Sequence, residues 1–290
     1  MANCSSSLPP SLDCGGKVLD LSRPQIMGIL NLTPDSFSDG GKYLLLEQAL
    51  QRARQMVEEG AAIVDIGGES TRPGATPVPL EEELRRVIPI IELLSQALPV
   101  PLSIDTSKPE VMRAAVAAGA GLINDVNALR EEGALQAASE LGVPICLMHM
   151  QGKPQTMQQN PVYGDVVEEV RAFLLERVVA CEQAGISRER LILDPGFGFG
   201  KKSIHNLLLL KHLHCFCELG FPVLVGLSRK SLIGTMLKVP VEERLYGSLA
   251  LATLAVWQGA VIVRTHDVRA TAQALILCDR VRKAGNKGDD

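Results

Sequence analysis

Short apolar runs alternate along the chain with longer segments whose apolar residues recur at helical spacing, and this alternation occurs eight times. The runs are nearly continuous in apolar residues, which is typical of parallel strands covered on both faces. Eight strand–helix units in succession predict a (β/α)₈ barrel, the TIM barrel fold of the α/β class. The predicted strands cover residues 26–30, 63–66, 102–104, 122–123, 145–148, 191–193, 223–225 and 261–263.

Six glycines support this division into units, because each stands where a helix would end before the next strand. They are Gly60, Gly119, Gly142, Gly185, Gly220 and Gly259. An open, doubly wound sheet is the alternative architecture, but no dinucleotide fingerprint follows the first strand and the order of elements does not switch. With no linker-like stretch in the chain, we predict a loosely ordered tail over residues 1–17 and a single domain over 18–290.

Composition narrows the classes of function. The 290 residues carry a net charge of −4 and only 3% aromatic residues, which argues against a nucleic-acid partner. No segment resembles a signal peptide or is apolar enough to span a membrane. The seven cysteines form no CxxC pair, which indicates reduced thiols. We therefore predict a cytoplasmic protein that binds neither membranes nor nucleic acid.

Polar side chains stand directly after every predicted strand. In a (β/α)₈ barrel these positions converge on one rim, where the active site lies. An Asp or Asn after a strand is often only a helix N-cap, and this explanation is open for any single residue. Capping alone is a poor explanation for the whole set. Its members are Asn31, Asp65, Asp105, Asn124, Asp125, His149, Asp194, the Ser228–Lys230 stretch, Arg264 and His266.

Two carboxylates and an amide in this set, Asp105, Asn124 and Asp194, offer hydrogen-bond acceptors to a donor-rich ring edge such as that of a pterin. Metal binding is the rival use, but a hard cation usually takes more oxygen ligands, and no His stands at ligand spacing from them. Met148 is either a core residue or a packing surface for a flat ring.

Two long loops follow the first two strands. The first, NLTPDSFSDGG, begins at Asn31, and the second, GGESTRPGATPVP, carries Thr71 and Arg72. Their length exceeds that of ordinary βα connections and suggests lids that close over a substrate. A third loop, DPGFGFGKK, contains Phe197 and Phe199, which either line a pocket or anchor the loop in the core.

Anion-binding groups follow the last two strands, which is the usual phosphate site of this fold. GLSRKS places Ser228, Lys230 and Ser231 where a helix begins, so that backbone N–H groups can hold a carboxylate. Arg264 and His266 stand two residues apart in VRTHD and form a candidate diphosphate clamp.

Eight segments resemble those of bacterial dihydropteroate synthases, in order and from about Val18 to the last helix. They are MGILNLTPDSFSDGG, DIGGESTRPGA, SIDTSKPEV, LINDV, LMHMQGKPQTMQ, LILDPGFGFGK, GLSRKS and VRTHDV. The resemblance implies a homodimeric (β/α)₈ transferase that uses Mg²⁺. Such an enzyme joins (7,8-dihydropterin-6-yl)methyl diphosphate to 4-aminobenzoate, giving 7,8-dihydropteroate and pyrophosphate for folate biosynthesis.

The resemblance also implies a role for particular residues. The pterin would lie against Asp105, Asn124, Met148, Asp194 and Lys230. Asn31 would contact Mg²⁺, while Arg264, His266 and Thr71 would hold the diphosphate. The 4-aminobenzoate would lie among Phe37, Thr71, Pro73, Phe199 and Lys230, with its carboxylate near Ser231, and sulfonamide contacts would fall at Phe37 and Pro73. The candidate catalytic residues are Asn31, Asp35, Arg72, Lys230, Arg264 and His266.

Two other functions remain open. A pterin-binding methyltransferase of the same superfamily would share the acidic pterin pocket, but would not need SRK, VRTHD and both lid loops together. A non-catalytic pterin- or phosphate-binding homologue would be expected to lack at least one of Asn31, Lys230, Arg264 and His266, whereas all four are present.

Overall fold

Eight parallel strands form the central sheet of the computed structural model, which describes residues 9–32, 42–72 and 74–285. They are β3 (Gln25–Asn31), β4 (Ile63–Gly67), β5 (Leu102–Asp105), β6 (Leu122–Asp125), β7 (Ile145–Met148), β8 (Leu191–Asp194), β9 (Leu224–Val225) and β10 (Ile262–Thr265). The strand order is β8-β7-β6-β5-β4-β3-β10-β9, and a parallel bridge between Leu193 and Val223 joins the two ends. The predicted barrel is confirmed, and the open-sheet alternative is wrong.

Helices connect the strands on the outside of the barrel. They are α1 (Lys42–Glu58), α2 (Leu80–Ala97), α3 (Pro109–Ala117), α4 (Ala134–Leu141), α5 (Val166–Gln183), α6 (Ser203–Lys211), α7 (His214–Cys217), α8 (Ser231–Leu237), α9 (Leu245–Trp257) and α10 (Val268–Lys283). All six glycines predicted to end a helix have positive φ, the conformation that closes a helix. Within the described ranges, no helix combines the length and the apolarity that a bilayer span requires.

The alternation of side chains along each strand decides which residues face the barrel interior. On β4, Val64 and Ile66 pack outward against the helices, so Ile63 and Asp65 face inward. On β5, Leu102 and Ile104 pack outward, which leaves Ser103 and Asp105 inside. The inward positions are therefore apolar at the start of most strands and polar at their carboxyl ends.

A β-hairpin covers the barrel at the amino ends of the strands. Strands β1 (Ser11–Cys14) and β2 (Lys17–Asp20) pair antiparallel, and Gly15 and Gly16 both have positive φ in the turn. The apolar side chains of the hairpin form one cluster with the first inward residues of the barrel strands. The cluster includes Leu12, Cys14, Leu19, Leu21, Met27, Ile63, Leu122, Cys146, Ile192, Leu224 and Ile262.

The loosely ordered tail predicted over residues 1–17 is therefore wrong from Ser11 onward, and residues 1–8 lie outside the described part. The hairpin is ordered because its apolar side chains close the barrel's open end. Gly121 shows how closely it packs: a Cβ there would lie 2.0 Å from the carbonyl oxygen of Cys14. That residues 18–290 form a single domain stays a prediction.

Candidate active site at the carboxyl ends of the strands

The rim of the barrel brings the predicted strand-end residues into one row. Asn31 pairs in register with Gly67, Gly67 with Asp105, and Asp105 with Asn124, across four neighbouring strands. Gly67 lies between the side chains of Asn31 and Asp105. A Cβ at this position would lie 3.6 Å from the Cβ of Asp105 and 3.8 Å from the amide oxygen of Asn31. The missing side chain keeps this part of the rim open.

Arg264 lies at the centre of the polar cluster. Its Nε donates to Oδ2 of Asp65 at 2.6 Å, and its Nη2 donates to Oδ2 of Asp105 at 2.7 Å. Asn124 adds a hydrogen bond from Nδ2 to the same Asp65 oxygen at 3.2 Å. Burial opposes the charge on Arg264, but Asp65 and Asp105 outweigh it and raise the pKa of the guanidinium. Arg264 is therefore a fixed positive charge inside the rim.

Several buried acceptors in this cluster have no hydrogen-bond partner in the described part of the chain. Within the described residues, Oδ1 of Asp105, Oδ1 of Asp65 and the hydroxyl of Ser103 are all buried without a hydrogen bond. Burial raises the pKa of Asp105, Arg264 lowers it, and the carboxylate of Asp65 raises it further. Since unpaired buried acceptors are costly, these atoms mark a place where a donor-rich ligand would be stabilised.

Asp194 extends the acceptor set from the end of β8. Its Oδ1 accepts the backbone N–H of Gly196 at 2.7 Å. Burial raises the pKa of Asp194 to about 6, although the Gly196 hydrogen bond and Lys230 both oppose the shift. The three predicted acceptors, Asp105, Asn124 and Asp194, thus share one rim as expected.

Asp65 belongs to the same cluster, although no substrate-binding or catalytic role was predicted for it from the sequence. The residue is completely buried and binds both Arg264 and Asn124. The signal was its spacing, because Asp65 stands two residues after the inward-facing Ile63 on β4 and therefore shares its face. By the same alternation Asp125 faces outward, where it accepts from Ser107 and from the backbone of Asn127 and Leu129.

Lys230 and Phe199 form a second part of the site. The Nζ of Lys230 lies 4.2 Å from the centroid of the Phe199 ring, a cation–π contact. Burial and the nearby Arg264 lower the pKa of Lys230 to about 8, while Asp194 opposes the shift. Phe199 also packs against a group of methionines that includes Met148. Phe197, by contrast, is buried in the main core and anchors the loop.

Lys201 holds this loop in place. Its buried Nζ lies 2.8 Å from Nδ1 of His149, 2.8 Å from the carbonyl of Gly196 and 3.0 Å from that of Phe199. Burial, together with this ammonium, lowers the pKa of His149 to about 2, so the imidazole is neutral. His149, which also follows a strand, therefore supports the loop that presents Phe199.

His266 is fixed beside Arg264 by contacts between the last two loops. Its Nδ1 lies 3.0 Å from Oγ of Ser228, and its backbone N–H donates to the same oxygen at 3.2 Å. Burial and the neighbouring Arg264 lower the pKa of His266 to about 4. Arg229 does not join the pocket, because it forms a two-point ion pair with Asp267.

The second loop is tied to the barrel at its base. Lys108 bonds both Glu69, in the loop, and the buried Glu83 of α2. Further along, Thr71 is half-buried and Arg72 is exposed. In the described part of the chain, neither side chain hydrogen-bonds the strand-end cluster, so their predicted substrate contacts stay predictions.

Some predicted site residues are not placed by the structure. Asp35, Phe37 and Pro73 lie outside the described residues. Ser231 is exposed at the first position of α8, and Asn31 ends β3, where it can supply an amide oxygen to a metal. Among the residues described, no three His, Cys, Asp or Glu side chains cluster as a metal site.

This chain is similar to proteins of known family along most of its length. The family model for the pterin binding enzyme matches residues 27–266. The dihydropteroate synthase of Escherichia coli strain K12 is 56% identical over 260 residues, which are 90% of this chain and 92% of that protein.

Two solved structures of Xanthomonas albilineans dihydropteroate synthase share the fold. The complex with 4-aminobenzoic acid has a TM-score of 0.89 at 56% identity and covers 94% of this chain and 98% of its own. The complex with 7,8-dihydropteroate has a TM-score of 0.86 at 54% identity and covers 94% and 99%. With the barrel and its rim cluster already described, these matches assign the chain to the pterin-binding enzyme family, among the dihydropteroate synthases.

Proposed function

We propose that this chain condenses (7,8-dihydropterin-6-yl)methyl diphosphate with 4-aminobenzoate and releases pyrophosphate. The observation that carries the proposal is the buried Oδ1 of Asp105, which has no hydrogen-bond partner among the described residues and lies on the same rim as Arg264. The acceptors suit the amino and ring N–H groups of a pterin. Arg264 and the neutral His266 suit the diphosphate. The membership of the family and the substrates named for its relatives support the same reaction.

Each part of the site has a distinct task in this reaction. Asp105, Asn124 and Asp194 orient the ring, with Met148 beside it. Arg264, His266 and Thr71 hold the diphosphate. Lys230 lies beside both substrates. Its ammonium binds the pterin, and its contact with the Phe199 ring places it next to 4-aminobenzoate. The carboxylate of 4-aminobenzoate then lies near Ser231, where α8 begins, and Phe37, Pro73, Asp35 and Arg72 complete the site from the two lid loops.

The chemical step breaks the CH₂–O bond, and its electron pair leaves with the diphosphate. The electron-rich dihydropterin delocalises the positive charge that develops on the CH₂ carbon. The aniline nitrogen of 4-aminobenzoate then supplies its lone pair to form the C–N bond, and the resulting anilinium loses its extra proton to the released pyrophosphate. Arg264 stabilises the charge on the leaving group, and closed loops would exclude water from the cation. No general base is essential, because the neutral aniline already carries a lone pair.

We also propose that Mg²⁺ takes part, with Asn31 as its protein contact. The amide oxygen of Asn31 is one hard ligand, and Mg²⁺ is commonly held by few protein groups together with substrate phosphates and water. The residues present therefore fit an ion that arrives with the diphosphate. When bound, Mg²⁺ supplies positive charge that stabilises the leaving group.

A turnover assay tests the proposed function. Purified protein, incubated with the dihydropterin diphosphate, 4-aminobenzoate and Mg²⁺, should release pyrophosphate and form 7,8-dihydropteroate in equal amounts. Transfer of a methyl group from a folate to a corrinoid, without such turnover, would support the methyltransferase instead. Binding of both substrates without product would support the non-catalytic homologue.

The pH dependence of turnover should reflect the ionisation of the Lys230 ammonium. Since its pKa is lowered to about 8, the ammonium is lost as the pH rises through that value. We expect kcat/KM for the dihydropterin diphosphate to fall above about pH 8. In Lys230→Arg, whose guanidinium stays charged, the fall should move to higher pH. A wild-type profile that stays flat well above this range would contradict the assignment of Lys230.

We propose that the chain forms a homodimer through α9 and α10. These helices pack together and expose several large apolar residues: Tyr246, Leu254, Trp257, Ile276, Leu277 and Val281. An exposed apolar face of this kind is typical of an interface. Leu277→Glu should convert a dimer into a monomer in light scattering, whereas Val179→Glu on α5 should not. Monomeric wild-type protein would contradict the proposal.

We propose a cytoplasmic location. All six cysteines of the described residues are free thiols, as expected in a reducing compartment.

A further inference from the structure

Among the described residues, the hydroxyl of Ser228 makes two hydrogen-bond contacts, and both are to His266. The backbone N–H of His266 points to Oγ at 3.2 Å, and the ring Nδ1 lies 3.0 Å from the same oxygen. Ser228 is 8% exposed, and the described residues offer its hydroxyl hydrogen no acceptor other than Nδ1. Both ends of His266 thus meet a single buried hydroxyl.

The single hydrogen of this hydroxyl limits which hydrogen bonds Ser228 can make with His266. A backbone N–H is always a donor, so Oγ accepts from it. A hydroxyl has one hydrogen of its own, and among the described residues the only acceptor within reach of it is Nδ1. If Nδ1 instead carried a proton, Oγ would accept twice and its own hydrogen would be left without a partner in a buried place, which is costly. The arrangement therefore favours an unprotonated Nδ1.

We propose that Ser228 is a positioning residue that holds His266 as the neutral tautomer with its proton on Nε2, so that Nε2 donates a hydrogen bond to the diphosphate. This inference rests on the proposed function for the identity of the anion. The assignment of the tautomer itself rests on the Ser228 contacts alone.

The surroundings of His266 support a neutral ring. Burial and the charge of Arg264 lower its pKa to about 4, Arg229 and Arg72 act in the same direction, and Asp267 opposes them. A neutral imidazole has one donor and one acceptor, so the partner of Nδ1 decides what Nε2 can do. Within the described residues Nε2 has no hydrogen-bond partner and is available to a ligand.

Further contacts of the two loops hold Ser228 and His266 next to each other. Arg52 donates from Nη2 to the carbonyl of His266 at 3.1 Å. Arg229, which adopts a left-handed φ of 56°, pairs with Asp267 through Nε at 3.0 Å and Nη2 at 2.5 Å. The ion pair joins the residues that directly follow Ser228 and His266, and Arg52 binds the backbone of His266 itself, so the hydroxyl and the ring are held close together.

The tautomer matters because phosphate oxygens are acceptors only. With the proton on Nε2, the ring donates to the leaving group in the same way as the Arg264 guanidinium beside it. With the proton on Nδ1, the lone pair of Nε2 would face those oxygens and repel them. Ser228 would therefore act through His266 without touching the substrate.

Nuclear magnetic resonance of the histidine rings tests the tautomer directly. Long-range ¹H–¹⁵N correlation spectra of the full chain at about pH 7 distinguish the two neutral tautomers and the cation. The chain has five histidines, and the signals of His266 are those lost in His266→Gln. We expect the pattern of an Nε2-protonated ring in the protein without ligand. An Nδ1-protonated or cationic His266 would overturn the inference.

Variants of Ser228 separate this role from a general effect on the loop. Ser228→Ala should replace the single pattern with a mixture of tautomers, and Ser228→Thr, which keeps the hydroxyl, should restore it. Ser248→Ala is the matched control. Its hydroxyl accepts from the Arg229 backbone at 2.9 Å, so it loosens the same loop without touching the ring. A change of tautomer in Ser248→Ala but not in Ser228→Ala would overturn the inference.

Binding of inorganic pyrophosphate gives the functional consequence. The dissociation constant should rise in Ser228→Ala by the inverse of the fraction of rings protonated on Nε2, about twofold for an equal mixture of tautomers, and should return towards wild type in Ser228→Thr. An unchanged constant in a Ser228→Ala variant with mixed tautomers would overturn the link to the anion. Should this variant not fold, Ser228→Cys, whose thiol is a weak donor, should show the same two changes.

Failure of this inference differs from failure of the proposed function. A wild-type protein that forms dihydropteroate but carries the proton on Nδ1 would overturn only the role of Ser228. A protein with the expected tautomer and no turnover would overturn the proposed function, leaving the tautomer assignment in place.

Discussion

Replacing Arg264 by methionine is expected to destabilise the protein by about 3–5 kcal/mol and to abolish pyrophosphate binding. Two buried carboxylates, Asp65 and Asp105, bond this guanidinium, and its loss would leave both charges without compensation. The free energy of unfolding can be measured by urea denaturation, and pyrophosphate binding by calorimetry.

The loss caused by Arg264→Met should depend on pH. Burial already raises the pKa of Asp105 and Arg264 opposes that shift, so without the guanidinium the pKa of this carboxyl would be higher still in the folded chain, and the variant gains stability as the pH falls and Asp105 binds a proton. The pKa of Asp105 is about 7 in the wild type and higher in the variant, so the difference in stability from wild type should shrink as the pH falls towards about 7 and change little below it.

Arg113→Met is the matched control for this change. Arg113 pairs with Glu140 at 3.0 Å, but both side chains are exposed to solvent, so its removal should lower the free energy of unfolding far less than the removal of Arg264 does. If both variants lost only a small and equal free energy of unfolding, the ion pairs of Arg264 with Asp65 and Asp105 would not be what stabilises the rim.

Replacing Asp194 by asparagine is expected to weaken binding of 6-hydroxymethylpterin roughly 10- to 100-fold, the worth of a hydrogen bond to a charged group. The amide oxygen of asparagine can still accept the Gly196 N–H, which keeps the loop in place. The amide NH₂, however, would present donors to the donor-rich edge of the pterin. Stability should change little, because the substitution also removes a buried charge whose pKa is already raised by burial.

Titration of the ligand by fluorescence or calorimetry measures the effect of Asp194→Asn. The control is Asp165→Asn at the exposed start of α5, where either side chain can cap the helix through the backbone of Val167. Pterin affinity within about twofold of wild type in Asp194→Asn would contradict the assignment of this carboxylate.

The sequence predicted the barrel because parallel strands buried on both faces produce apolar runs that are easily recognised. It also identified Asp105, Asn124, Asp194, Lys230, Arg264 and His266, since the carboxyl ends of the strands must converge on one rim. The position of Arg264 and His266 after the last strand already indicated an anion clamp, whereas the identity of the pterin came from the family resemblance.

Two features were not predicted from the sequence, because they depend on contacts between segments that are distant along the chain. The hairpin of β1 and β2 has only four residues in each strand, and its Gly15–Gly16 turn was the only strong local signal. The other feature is the partner set of Arg264. Nothing local distinguishes Asp65 as a bonded partner of a residue 199 positions away, and only the closed barrel brings the two together.

We propose that one rim of the barrel holds two adjacent sites, with the pterin on the acceptors of β5, β6 and β8 and the leaving group on Arg264 and His266. A crystal structure of the protein with 6-hydroxymethylpterin, pyrophosphate and Mg²⁺ tests it most directly. We expect the ring within hydrogen-bond distance of Asp105, Asn124 and Asp194, and pyrophosphate bonded to Arg264 and to Nε2 of His266. Pyrophosphate bound away from Arg264, or a ring that leaves the three acceptors unoccupied, would contradict the account.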